Sequence, residues 1–346
     1  MSEFSWQNDL QLALESQNLD VYGIQPISQP VSIEFYKQWL SKGHHAEMSY
    51  LKDHADQKAD VRKLLQSGNS VISVLAPYSP HPEARKLPVK ALKIARYARG
   101  DDYHHWLLAK LNAVSENLKQ KHPEEEFLCF TDSKPLLEKE WAARNNLGWV
   151  GKNSLLLNPK LGSLFFLGEI VTSLKVESAL EPFTVPDLCG KCSACIDHCP
   201  TDAILDDRSL DARKCLAYWN IEAKSAAPLE IRDKFEGWLF GCDICQDVCP
   251  WNNKVIQKEA QAEEPSREDL LQDLLYILHS SNKRLQKDFA GTPVNRAGGK
   301  GLKRSALSII AGWRLKELRP ELEALTYENQ ELEELRLSTL AQISKP

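Results

Sequence analysis

The 346-residue sequence contains no run of about 18 apolar residues that could span a bilayer. Its first twenty residues scatter Glu3, Asp9 and Glu15 among apolar positions, which excludes the unbroken apolar stretch of an export signal. The expectation is a chain with no membrane segment, residing in the cytoplasm and acting as a monomer. An excess of positive charge is also lacking. The formal net charge is −5, so any contact with nucleic acid must come from a local basic surface rather than from the field of the whole protein. With 42% hydrophobic and 26% charged residues, the composition is that of a globular chain long enough for two or three domains.

Cysteine, by contrast, is plentiful, with nine in all. In a reducing compartment clustered thiols bind metal more often than they form disulfides. Cys189, Cys192, Cys195 and Cys199 follow the spacing C-x2-C-x2-C-x3-C and end on Pro200. Cys242, Cys245 and Cys249 repeat C-x2-C-x3-C before Pro250, with Cys215 upstream. Three thiolates on one tight loop reach three corners of a cubane, and the cysteine past the turn reaches a neighbouring cluster. This logic predicts one [4Fe–4S] cluster on Cys189, Cys192, Cys195 and Cys249. A second falls on Cys199, Cys215, Cys242 and Cys245. Structural zinc is the alternative, but overlapping C-x2-C steps fit poorly around one tetrahedral ion. Cys129, in the apolar run EFLCF, reads as a buried structural thiol.

The flanks alternate in period. Residues 4–18 carry Trp6, Leu10 and Leu14 at helical spacing, and SVISVLAPY (70–78) reads as a buried strand. A helix is predicted over about 88–118, a strand over 127–132, a helix over 135–147 and further strands within 154–174. This alternation indicates an α/β or α+β domain over residues 1–175. Residues 176–257 would form a ferredoxin-like domain. Residues 258–346 open on an acidic linker (258–269) and read as solenoid-like, HEAT-like helices at about 267–288, 301–317 and 318–344. Ser266 and Asp269 form a capping pair at the first of these. The overall class expected is α+β.

Asp132 stands where a strand gives way to a loop, a common place for reactive groups, although an Asp before Ser133 and Pro135 also suits a helix N-cap. GWVGKNS (148–154) is not a phosphate loop, because Asn146 and Asn153 stand where glycine and a hydroxyl residue are needed. Two stretches carry basic residues and no acid. One holds Arg85, Lys86, Lys90, Lys93, Arg96 and Arg99; the other, GTPVNRAGGKGLKR, holds Arg296, Lys300, Lys303 and Arg304. Such clusters suit phosphate backbones.

Together HAEMSYL (45–51), ARYARGDDYH (95–104), FTDSKPLLEKEWAARNNLGWVGKNSLL (130–156), the ferredoxin cysteines and FAGTPVNRAGGKGLKRSAL (289–307) resemble the epoxyqueuosine reductases, bacterial tRNA-modifying enzymes. The resemblance implies an N-terminal α/β cobalamin-binding domain similar to that of reductive dehalogenases, and two [4Fe–4S] clusters. A low-potential electron donor would reduce the clusters and, through them, cobalamin to its cob(I) state. The epoxide of epoxyqueuosine at position 34 of tRNA would then open, completing queuosine synthesis. The acceptors implied are the tRNAs for Tyr, His, Asn and Asp.

By its place in the family's motif, Asp132 becomes the proton donor, which calls for a raised pKa. DYHH (102–105) lacks the glycine of the D-x-H-x-x-G signature, so the cobalt is expected to have no histidine on its lower face. Tyr97, Asp132, Lys152, Asn153 and Ser154 are the expected cobalamin contacts. Arg296, Lys300, Lys303 and Arg304 are the expected grip on tRNA, helped by the 85–99 helix. Two rivals remain: a small-molecule reductase of the reductive dehalogenase kind, and a non-catalytic electron carrier.

Overall fold

The computed structural model describes residues 5–78, 86–176, 186–257 and 265–345. Four strands form the main sheet: β1 (Val21–Pro26), β2 (Ser70–Pro77), β3 (Phe127–Phe130) and β4 (Phe165–Thr172), in the order β1-β2-β4-β3. Every neighbouring pair is antiparallel. The N-terminal region is therefore α+β, and its alternation of helix and strand does not produce a parallel α/β sheet. The predicted strands correspond to β2, β3 and β4, whereas β1 (VYGIQP) gives no clear pattern because Gly23 and Pro26 interrupt it.

Burial on both faces explains why β2 reads as a continuous apolar run. On one face Ile72, Val74 and Ile170 meet Leu10 and Leu14 of α1 (Ser5–Ser16) and Leu107, Leu111 and Val114 of α2 (Tyr103–Lys121). On the other, Val71, Val171 and Phe130 pack on Trp141 of α3 (Glu138–Arg144). Both helices of the first face carry their apolar residues at three- and four-residue spacing, the stripe an amphipathic helix buries.

The helix predicted over 88–118 begins only at Tyr103, after Asp102 caps it by accepting from the His104 N–H. The preceding residues turn instead toward the cysteine-rich segment. Lys93–Ile94 pairs in parallel with Trp238–Phe240, and Arg96–Ala98 is a single 3₁₀ turn. Most of this first basic stretch is spent on internal bonds. The Arg96 N–H donates to Asp243 Oδ2 at 2.7 Å, and Arg99 Nε donates to the Ile94 carbonyl at 2.8 Å. Arg85 lies outside the described residues.

The C-terminal helices are α4 (Arg267–His279), α5 (Asn282–Asp288), α6 (Gly298–Gly312) and α7 (Gln330–Ile343), with a short helix at Arg319–Ala324. Each predicted long helix is broken. Ser281 caps α5, and the Ser266–Asp269 capping box starts α4 as expected. Residues 258–264 of the acidic linker lie outside the described residues. One core joins Leu274, Leu307 and Ile310 of these helices to Ile94, Ala98, Phe235 and Leu239. No helix among the described residues is long and apolar enough to cross a membrane.

Candidate active site

Where these parts meet, two cavities of about 870 and 720 Å³ adjoin. They share Leu51, Lys58, Asp132, Leu136, Glu138 and Leu210. Tyr97, Tyr103, His104, Cys215 and Arg296 line the larger; Phe35, Tyr36, Trp39, Trp149 and Ser154 line the smaller, more apolar one. The β3 strand and the N-terminus of α2 position the polar centre. Asp132 lies two residues beyond β3 with φ of 52°, a left-handed conformation that aspartate tolerates better than most residues.

Tyr103 Oη donates to Asp132 Oδ2 at 2.6 Å. His104 Nε2 lies 3.7 Å from the same oxygen, too far for a hydrogen bond but close enough for an ion pair, while its Nδ1 is 2.7 Å from Asp102 Oδ1. Reduced hydration at the cavity wall pushes the Asp132 pKa up, but His104 and the Tyr103 hydrogen bond outweigh it and hold the carboxyl below its ordinary value. The expected raised pKa is thus not found, because the carboxylate, 62% exposed to the cavity, has two donors facing it. Asp132 in turn raises His104, against burial and with help from Asp102. Burial and Asp132 push Tyr103 well above the usual phenol range. Tyr103 is fixed between His104 and Phe166, with ring centroids 4.1 Å away on both sides.

Two acids lie behind Asp132. The Asp132 N–H donates to Glu138 Oε1 at 2.8 Å. Glu169, on β4, is fully buried, and neither of its oxygens receives a hydrogen bond from a protein N–H or hydroxyl. Burial and the neighbouring acids push Glu138 up to about 7 and Glu169 well above the carboxylate range.

The cysteines sort by the neighbours that perturb them. After burial, which pushes each thiol up, Cys195 responds to Cys249 and Cys189, and Cys249 to Cys189 and Cys192. Cys242, raised to about 12, responds to Cys215 and Cys199, and Cys245 to Cys242 and Cys215. The Cys245 thiol also feels Cys195, so the two sets adjoin. Cys192 is exposed, whereas Cys215 lines the larger cavity. Among the described residues no three His, Cys, Asp or Glu side chains converge as ligands of a single ion would. Gly241, with φ of 68°, lets the loop before Cys242 approach Ala95; a Cβ there would meet the Ala95 methyl at 2.5 Å. Cys129 is only partly buried, not fully as expected, with its Sγ 2.8 Å from Ser115 Oγ.

The structure redistributes several other predicted residues. Tyr97 lies on the cavity between Tyr103 and Phe240, with centroids 6.3 and 6.2 Å away. Ser154 lines the smaller cavity. Lys152 does not reach either cavity. It donates to the Gly190 and Cys192 carbonyls at 2.9 and 2.8 Å, bracing the first cysteine loop. Asn153 is buried in the turn beneath, where its Oδ1 accepts from the Leu155 N–H at 3.3 Å.

Of the four cations expected to hold phosphates, Lys300 is exposed, and Arg296 faces the larger cavity while paired to Glu222 at 2.6 Å. Lys303 is only 8% exposed and lies over the Tyr327 ring at 4.9 Å. Arg304 is partly buried, with one guanidinium nitrogen bound to the Ala223 carbonyl. Lys303 thus faces the helical core and Arg304 the cysteine-rich segment, since α6 is buried on nearly all sides. Sequence reasoning missed Tyr103, His104, Glu138 and Glu169. DYHH held the only available signal, an Asp helix cap followed by ring residues.

A clustered thiol array, one member of which opens onto a cavity with an acid, an imidazole and a phenol, defines an iron–sulfur oxidoreductase. Residues 188–252 match the family model described as 4Fe-4S double cluster binding domain, and residues 58–133 match Epoxyqueuosine reductase QueG, DUF1730. The chain is 37% identical over 290 residues to the epoxyqueuosine reductase of Synechocystis sp., covering 82% of this chain and 98% of the relative. With that of Cyclobacterium marinum it shares 45% over 229 residues, 65% of this chain and 72% of the relative. A solved epoxyqueuosine reductase, crystallised with an epoxyqueuosine-modified tRNA-Tyr stem loop, has the same fold. Its TM-score is 0.84 at 23% identity, over 99% of this chain and 91% of that one. The chain belongs to the epoxyqueuosine reductase family.

Proposed function

We propose that this oxidoreductase converts epoxyqueuosine to queuosine at the wobble position of tRNA, with two [4Fe–4S] clusters and cobalamin as cofactors. The observation carrying this reading is that Asp132, Cys215 and Arg296 border one cavity, so acid, electron source and cation meet at one place. The clusters would occupy the two cysteine sets, with Cys189, Cys192, Cys195 and Cys249 on the outer side. Exposed Cys192 is the point of entry for a low-potential donor. Cys199, Cys215, Cys242 and Cys245 hold the cluster next to the cavity.

The adjoining cavities together have room for a corrin, and the smaller one offers it an apolar wall. Phe35, Tyr36, Trp39, Trp149 and Ser154 would hold it, with Tyr97 on the side toward the second cysteine set. Cobalamin supplies a strongly reducing centre for opening the epoxide. Opening the epoxide to the alkene takes two electrons and two protons and releases the oxygen as water. Asp132 would hand a proton to that oxygen. His104, whose pKa Asp132 and Asp102 raise, stands beside Asp132 as a proton source, and substrate entry would dry Asp132 and move the balance toward its acid form.

Arg296 at the rim and Lys300 outside it would hold the RNA backbone around the extruded base. The substrates would be the tRNAs for Tyr, His, Asn and Asp, and the chain would act in the cytoplasm as a monomer. The relative solved with a modified stem loop supports the tRNA over a small-molecule substrate. The test is anaerobic turnover of an epoxyqueuosine-bearing stem loop by protein loaded with iron, sulfide and cobalamin. Loss of one oxygen from the RNA, read by mass, is expected; a fully loaded protein that leaves the oxygen in place overturns the reading.

A further inference from the structure

We propose that Glu138 and Glu169 form a carboxylic acid–carboxylate pair, sharing one proton, that holds the Asp132 loop in its reactive conformation. This inference rests on the role of Asp132 proposed above. Glu138 opens α3 and accepts the Asp132 N–H at 2.8 Å, fixing a residue whose φ of 52° costs energy in any other setting. Glu169 sits on the central strand β4, opposite Phe130 at the end of β3 and Ser73 on β2. It is 0% exposed, with both oxygens lacking a donor from any N–H or hydroxyl group.

A bare carboxylate in that position would leave an uncompensated charge in the sheet. A protonated Glu169 removes the charge and donates its O–H to Glu138, the adjacent acid with which it interacts. Glu138 then keeps its other lone pairs for Asp132. The remaining groups facing the pair are Asp132, Lys58 and Lys139, and none replaces that proton. Lys58 Nζ donates to the Leu136 carbonyl at 3.0 Å and Lys139 Nζ to the Ser154 carbonyl at 2.6 Å. Lys58 thereby pins the other end of the same loop, and Lys139 ties the start of α3 to the turn at Ser154. Glu138 and Glu169 are positioning residues, acting through Asp132 rather than on the substrate.

Glu169→Gln keeps a neutral donor for Glu138, and Glu169→Met removes it at similar size. In the loaded enzyme, Glu169→Gln should keep kcat within about twofold of the parent, whereas Glu169→Met and Glu138→Ala should lose about ten- to a hundredfold with KM little changed. In an Asp132→Asn background, Glu138→Ala should cost nothing further. A second readout needs no cofactor turnover. Because the folded pair binds a proton that the unfolded chain gives up near its ordinary pKa, parent stability falls as pH rises above the ordinary carboxyl value of 4.5 toward the higher value of the folded pair. Glu169→Gln removes that slope, so its Tm advantage over the parent should widen across this range.

Equal kcat for Glu169→Gln and Glu169→Met, a parallel pH dependence of Tm, or an undiminished effect of Glu138→Ala on Asp132→Asn would each overturn the pair. Full activity of Asp132→Asn alone would overturn the acid role instead, while leaving the pH dependence of Tm to report on the pair.

Discussion

Tyr103 donates to the same oxygen, Asp132 Oδ2, that His104 faces from 3.7 Å, so both donors act on one oxygen of the carboxylate. The Tyr103→Phe variant keeps the ring stacked on Phe166 and removes one donor. The Asp132 pKa should then rise. Its present depression adds stability above the ordinary value of 3.8 that is lost as pH falls through the lower folded value. Tyr103→Phe should therefore melt earlier than the parent at pH values above the ordinary 3.8, and the two should converge on the acid side. Its alkaline limb in a single-turnover pH profile should move to higher pH, because more Asp132 stays protonated.

The two halves of the GTPVNRAGGKGLKR segment should separate by experiment. Lys300→Ala removes an exposed cation and should lower the salt slope of stem-loop binding by about 0.7 to 0.9. Lys303→Ala should leave that slope unchanged and instead lower Tm, because the Lys303 stem and ammonium cover Tyr327. Fluorescence titrations at several salt concentrations, paired with melts, test both.

Removing one thiol from either set should cost about four irons of about eight, since a cubane loses its hold when a corner is lost. Cys192→Ser and Cys245→Ser should each halve the iron content and differ in the cluster that survives. Only Cys245→Ser, which strips the set next to the cavity, should abolish reduction of material inside it by a small dye-coupled donor. Cys129→Ser should retain all the iron.

Asp273 Oδ2 accepts three backbone N–H groups, those of Lys90, Ala91 and Leu92, at 2.8, 2.6 and 3.0 Å. This carboxylate on α4 holds the segment that leads into the Lys93–Ile94 strand. Asp273→Ala should destabilise the protein by about 3 kcal/mol, the scale of leaving several buried donors unpaired. Chemical denaturation of the parent and variant measures this loss.

Much of the architecture was legible where the pattern was local. The buried strand at 70–78, the Ser266 cap and the spacing of eight cysteines all depend on nearest neighbours in sequence. What escaped depends on distant partners. Residues 88–102 look helical by charge and periodicity, yet pairing with Trp238–Phe240 and the Asp243 and Asp273 carboxylates draws them into extended chain. Lys303 and Arg304 read as surface cations because charge alone does not reveal that α6 is the central helix of its bundle. Glu169 stands in an ordinary-looking strand, and only three-dimensional packing reveals that its charge has nowhere to go.

Cys215 and Asp132 line the same chamber. In the proposed reaction, the terminal of the wire is therefore part of the vessel. Delivery of electrons requires no swinging arm and no docking event between modules, because the gap is set once, when the chain folds. The rate at which reducing equivalents arrive is then governed at the outer thiol set, where a donor must collide with the surface.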